Sequence, residues 1–148
     1  MLTLPKPITN ALKTLYPLLL ASGTFKRVMV LSTGSYSVPE DSRSFKWFLA
    51  IQCFIRVIGG DTYGEIKGIA ETTVDLGDRC KWTVFRVPLL HGKELNGKGS
   101  EDGVNAVYIG DKKGRDGYFL DRGRLVRWIL EELDEMKWVR KCPALANA

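Results

Sequence analysis

RVMVLSTGS, residues 27–35, sets an apolar, partly β-branched run directly against small hydroxyl and turn residues. Such a run, without polar alternation, suits a strand covered on both faces, which is how strands of parallel sheets read. The residues on either side are then expected to supply covering helices. Upstream, ITNALKTLYPLLLASG (8–23) carries apolar residues at near-helical spacing and stops at Gly23, with Pro17 expected to kink the helix or shorten its start. Downstream, VPEDSRS reads as a loop and FKWFLAIQCFIRV as a helix by its length. A further helix runs to about Asp75, capped by Asp61 or Thr62, with Glu65 placed for a capping box if Thr62 is the cap. Gly64 and Gly68 weaken it by about 1 kcal/mol each relative to alanine.

KWTVFRVP (81–88) is an alternating, β-branched strand stopped by Pro88. HGKELNGKGSEDG is a polar, glycine-rich loop, and AVYIG (106–110) a short strand. Asp121 caps RGRLVRWILEELDEM, whose Leu125, Ile129 and Leu133 recur on one face, and WVRKCPAL closes as an extended piece. Helices alternating with buried strands predict one α/β domain over residues 1–148 with a mostly parallel sheet.

Composition narrows the function classes. With 45% apolar and 26% charged residues, 148 residues suffice for a real core. The net charge of +5 is spread among acids, as in DKKGRDG and EELDEMKWVRK, so no basic stripe points to nucleic acid. Cys53, Cys80 and Cys142 are odd in number and far apart; they suggest neither a disulfide framework nor a zinc site, and a reducing, cytoplasmic setting is expected. The most apolar run, WFLAIQCFIRVI (47–58), holds Gln52 and Arg56 and falls short of the ~20 residues a membrane helix needs. It reads as a buried or interface helix.

The candidate chemistry lies in GDTYGEIKGIAE, residues 60–71, where Tyr63 and Lys67 stand four apart. On a helix these side chains share a face, and a nearby ammonium favours phenolate, making the tyrosine a usable general acid or base. A carbonyl reductase also needs a hydroxyl near the developing oxyanion, and Ser32, Thr33 and Ser35 stand at the end of the first strand. Spacing alone is weak: five tyrosines and twelve lysines give a chance YxxxK about 0.4 times, and Tyr108 with Lys112 is a second instance. That second pair falls where a strand runs into a turn, so its side chains would not share a helix face.

Taken in order, VMVLSTGSYS, YGEIKGIAE, KWTVFRVPLL and YFLDRGRLVRWILEELDEMKWVRKCP resemble the C-terminal half of an atypical short-chain dehydrogenase/reductase of the NmrA-like branch common in fungi. The residues carrying the likeness are the hydroxyl-ended strand, Lys67 with Glu71, Trp82, Thr83, Arg86 and Pro88 of the second strand, and Asp121, Arg122 and Val126 of the late helix. The resemblance implies a partial Rossmann-like parallel sheet with flanking helices and an NAD(P) coenzyme. Tyr63 would be the proton donor to a carbonyl, and Lys67 would lower its pKa and hold the nicotinamide ribose. Thr33, with Ser32 and Ser35 as rivals for register, would polarise the substrate. The backbone at Pro88 and Leu89 would lie against the nicotinamide, and the loop from His91 to Gly103 would help form the pocket. Arg86 is expected to pair with a carboxylate such as Glu71, and His91 to be a loop residue.

The chain departs from that family in one respect. GKGSEDG and GDKKGRDG have the wrong spacing and position for a coenzyme-binding glycine-rich turn, so the N-terminal βαβ unit is expected to be absent. The expected function is an NAD(P)-dependent oxidoreductase acting on a carbonyl or alcohol, with a tailoring role in fungal secondary metabolism implied by the resemblance. A non-catalytic NmrA-like regulator or an inactive remnant is the alternative. Half of such a fold would leave a strand edge and apolar surface uncovered, so self-association or a partner chain is expected.

Overall fold

The two buried runs read from the sequence, β1 (Arg27–Thr33) and β2 (Lys81–Val87), pair in parallel along their whole length, from Arg27↔Lys81 to Thr33↔Val87. The computed structural model describes residues 6–92 and 103–148. Between the two strands run α2 (Phe45–Ile58) and α3 (Gly60–Val74), joined at Gly59. α1 (Pro7–Ala21) precedes β1 and continues through Pro17. After β2 come two short strands, β3 (Leu89–His91) and β4 (Val104–Val107), then β5 (Phe119–Asp121), α4 (Arg122–Glu135) and β6 (Ala144–Asn147).

The main sheet has the order β1-β2-β6-β4, parallel except for β4, which pairs antiparallel with β6. β3 and β5 form a separate parallel pair. The architecture is therefore the α/β, Rossmann-like layering expected. β1 stands at one edge of the described sheet, with β2 as its sole strand partner among the described residues.

Alternation along the strands divides the core into two faces. Val28, Val30, Trp82 and Val84 pack under α1 and α3 with Tyr16 and Ala70. Phe85 and Val87 pack on the other face with Leu120, Leu125, Trp128 and Leu145, and the Phe85 and Trp128 rings meet edge-on at 5.7 Å. β2 is buried on both faces from Trp82 to Val87, as a central parallel strand should be.

Several local expectations are corrected. α3 is capped by Gly59 without a side-chain bond, and Glu65 instead reaches α1, where its carboxylate accepts from the Ile8 and Thr9 amides and the Thr9 hydroxyl. The residue at the N-cap of α1, Lys6, makes no side-chain bond to the first free amides, and a distant carboxylate serves them. Arg86 pairs with Asp41 rather than Glu71, since its guanidinium points toward the loop after β1 while Glu71 holds Lys67. Asp121 caps α4 as predicted, accepting from the Gly123 and Arg124 amides at 2.8 and 3.3 Å. The buried side of α4 is nevertheless Leu125, Trp128 and Glu132, and Leu133 faces outward. Glu132 is buried because Arg27 at the start of β1 pairs with it at 2.7 Å.

Leu89 and Leu90, beyond the strand end expected at Pro88, and His91, read as a loop residue, form β3 because their backbone finds β5. The strand expected at 106–110 is Val104–Val107, and the closing extended piece includes β6, which enters the sheet interior beside β2. The remainder of the 91–103 loop lies mostly outside the described residues.

The buried cysteines make stability pH-dependent. Burial pushes the Cys142 thiol up from 9.0 to about 11, against the opposing pull of Arg86. The unfolded chain loses this proton near 9 while the folded chain keeps it, so this contribution is fully present below pH 9 and is lost as pH rises toward 11. A two-unit shift corresponds to about 2–3 kcal/mol. Urea unfolding at pH 8 and pH 10.5 should show this fall, and Cys142→Ala should flatten it.

Candidate functional site

In a parallel sheet the strands share a direction, so their carboxyl ends line one edge, and the loops leaving that edge shape the crevice where ligands bind. Here β1 leaves through Thr33, Gly34 and Ser35, and β2 through Val87, Pro88 and Leu89. The two exits line one pocket of about 440 Å³, with Trp47, Ile51, Cys53, Phe54 and Val57 of α2 and with Tyr118 and Phe119 ahead of α4. The strand register explains the meeting: Thr33 lies opposite Val87 and on the same face.

Among the described residues no lining side chain carries a charge, and the walls are largely aromatic and aliphatic. Trp47 and Tyr118 meet at 5.2 Å with their planes tilted by 56°. The Trp47 indole N–H donates to the Asp116 carbonyl at 3.1 Å, which fixes the ring. The buried Asp116 carboxylate in turn accepts from Lys46 Nζ and the Gly110 amide, both at 2.8 Å. Gly34 is required by close approach: a Cβ there would lie 2.6 Å from the Trp47 ring. The polar side chains among the described lining residues are a hydroxyl pair, Thr33 Oγ1 and Ser35 Oγ, 2.6 Å apart, with the Tyr118 phenol and the Cys53 thiol.

Thus four predicted site residues, Thr33, Ser35, Pro88 and Leu89, come together around one cavity. Ser32 does not join them. One step along the strand, it faces α3, wholly buried and without a hydrogen-bond partner for its hydroxyl. Tyr63 and Lys67 are not among the lining residues. They stand on α3, which packs across the opposite face of β1 and β2 and runs against the strands, so its first turn, with Tyr63, lies toward their carboxyl ends. Tyr63 is half-buried, and Lys67 pairs with Glu71 at 3.6 Å near the surface. His91 ends β3, its Nε2 3.2 Å from Asn147 and its ring edge-on to Phe119.

What the sequence reading missed is the wall supplied by α2. Its apolar residues on every side, already visible in FKWFLAIQCFIRV, were the signal: Trp47, Ile51 and Phe54 line the cavity, while Phe45, Phe48 and Leu49 are exposed. Tyr118 and Asp116 sit in a loop of ordinary composition and carried no such signal. Among the described residues, no group of three or more His, Cys, Asp or Glu could hold a metal, and no helix is long and apolar enough to cross a membrane.

No protein-family model matches the chain, and no curated protein does. Solved structures do. A wide-type short-chain dehydrogenase/reductase from Veillonella parvula, crystallised with NADP, superposes with a TM-score of 0.68 at 13% identity, over 93% of this chain and 58% of its own. A Streptococcus pneumoniae protein named for NADH-flavin reductase activity gives 0.57 at 10% identity, over 100% and 69%. An oxidoreductase from Lactococcus lactis gives 0.54 at 15%, over 86% and 49%. The chain spans about half to two-thirds of the length of these proteins. What it shares with them is a fold, the Rossmann-like α/β layering, over part of their length.

Proposed function

We propose that the chain is an NAD(P)-dependent oxidoreductase of the short-chain dehydrogenase type, and that the pocket at the carboxyl ends of β1 and β2 is its nicotinamide and substrate site. The observation that carries this reading is the convergence of Thr33 and Ser35 with Pro88 and Leu89 on one largely apolar cavity at that edge. The neighbour in complex with NADP supports the choice of coenzyme.

The residues present fit one end of that coenzyme. A nicotinamide ring is flat and largely apolar, as the walls are, and the uncharged lining suits it better than it suits a pyrophosphate. Bound NAD(P)H would supply the hydride. The chain's own residues would hold the ring against Pro88 and Leu89, exclude water by α2, and donate a hydrogen bond from the Thr33–Ser35 pair to the carbonyl oxygen. Tyr63, with Lys67 one turn further along α3, is the proposed proton donor. The NmrA-like placement and a fungal tailoring role belong to this proposal, resting on the order of the four sequence segments. So does a partner at the open edge of β1, where Leu31 is 45% exposed.

Titration of the intact chain with NADPH and NADH tests the reading. One of them should bind, and Tyr63→Phe should lower ketone turnover by about 100-fold or more while leaving coenzyme affinity unchanged. Absence of binding by both coenzymes removes the enzyme. Coenzyme binding with turnover untouched by Tyr63→Phe favours a coenzyme-sensing regulator instead. Sedimentation of a compact monomer would remove the partner.

A further inference from the structure

We propose that the pocket selects an uncharged aromatic ketone, with its carbonyl oxygen at the Thr33–Ser35 hydroxyl pair; calling this ligand a substrate rests on the oxidoreductase reading above. Three observations lead there. The first is charge. With no cation or anion among the described lining residues, a carboxylate or phosphate entering the pocket would lose its water without gaining a partner from them. The second is shape. Trp47, Phe54, Tyr118 and Phe119 give the cavity aromatic walls, and about 440 Å³ lies within the range of small-molecule sites, enough for two fused rings.

The third is the proton inventory of the hydroxyls. Thr33 and Ser35 hold two hydroxyl protons, and one of them is used in the 2.6 Å bond between the two oxygens. The Ser35 amide also donates to Thr33 Oγ1, at 3.4 Å, so that oxygen is supplied with donors rather than short of them. Whichever way the shared bond runs, one O–H remains to donate. The Trp47 indole cannot compete for the ligand, since its N–H is committed to Asp116. The pair therefore offers one O–H to an acceptor, and a ketone is such a group on a flat apolar frame.

Three ligands separate these requirements: 2-acetylnaphthalene, 2-ethylnaphthalene and 6-acetyl-2-naphthoate, each titrated calorimetrically into the full chain without coenzyme. The ketone should bind about 5-fold tighter than the ethyl compound, the worth of one hydrogen bond. It should bind at least 10-fold tighter than the carboxylate. In Thr33→Val with Ser35→Ala the ketone should fall to the affinity of the ethyl compound, whose own binding should persist and so report that the pocket is intact. Equal binding of ketone and ethyl compound, or of ketone and carboxylate, in the unaltered chain would overturn the proposal even without the variant. A separate NADPH titration keeps the two readings apart. Coenzyme binding without ketone preference sinks this inference alone, and ketone preference without binding of NADPH or NADH sinks the oxidoreductase reading alone.

Discussion

Asp41→Ala should lower the folding free energy by about 3–5 kcal/mol, the usual cost of leaving a buried charge without its partner. Arg86 is wholly buried in β2, and Asp41 meets it with two parallel bonds of 2.6 and 2.8 Å. The rest of the guanidinium is also committed, to the Cys142 and Tyr36 carbonyls. Asp41 further accepts from the Val38 and Ile109 amides, so its loss orphans backbone donors as well. One carboxylate thus ties the loop after β1 to the centre of the sheet and to the segment after β4. Urea denaturation checks the value. A loss below about 1 kcal/mol would mean that Arg86 finds another partner or water, and adding Arg86→Met to Asp41→Ala should recover part of the deficit.

Gly110→Ala should cost about 2–4 kcal/mol, of which 1–2 is the strain of a left-handed backbone bearing a Cβ. Gly110 has φ +81°, and a Cβ there would lie 2.5 Å from the backbone oxygen of Ser42. Backbone cannot rotate aside as a side chain does, so the 2.8 Å bond from the Ser42 amide to the Ile109 carbonyl must open. The Gly110 amide also donates to Asp116, whose carbonyl holds Trp47 in the pocket wall. The variant should therefore weaken ligand binding as well as folding, measured by denaturation and by titration of the same sample. Gly110→Asn tolerates the angle better but meets the same oxygen. If it is as stable as the unaltered chain, the close approach is not what matters.

These two sites show which parts of the molecule were legible in its residues. The buried strands announced themselves, because a parallel sheet covered on both faces leaves uninterrupted apolar runs such as VMVL and WTVF. The cap at Asp121 was equally plain, being local and chemically specific. Thr33, Ser35, Pro88 and Leu89 lie round one cavity because the exits of adjacent parallel strands come together, whereas the roles expected of Pro88 and Leu89 came from the family resemblance. The partners of Arg86 and Glu65 were not readable, since each lies across the fold, Asp41 in a loop and Thr9 on another helix. Nothing in local pattern encodes which distant carboxylate answers a buried arginine. The cavity wall from α2 was half-legible: the excess of apolar residues showed that something faced them, but not that it was an open pocket.

The place of β6 also bears on how the sheet comes together in time. β2 and β4 precede β6 in the chain, yet they are its two neighbours and are joined through it. During synthesis from the amino end, β1 and β2 can pair as soon as α2 and α3 have emerged, whereas β4 has no strand in this sheet to pair with until residues 144–147 arrive. The growing chain thus carries two unpaired strand edges, one on β2 and one on β4, through the making of α4, and such edges invite pairing with other chains. A sheet built in this order has its middle closed only when residues 144–147 pair with both neighbours.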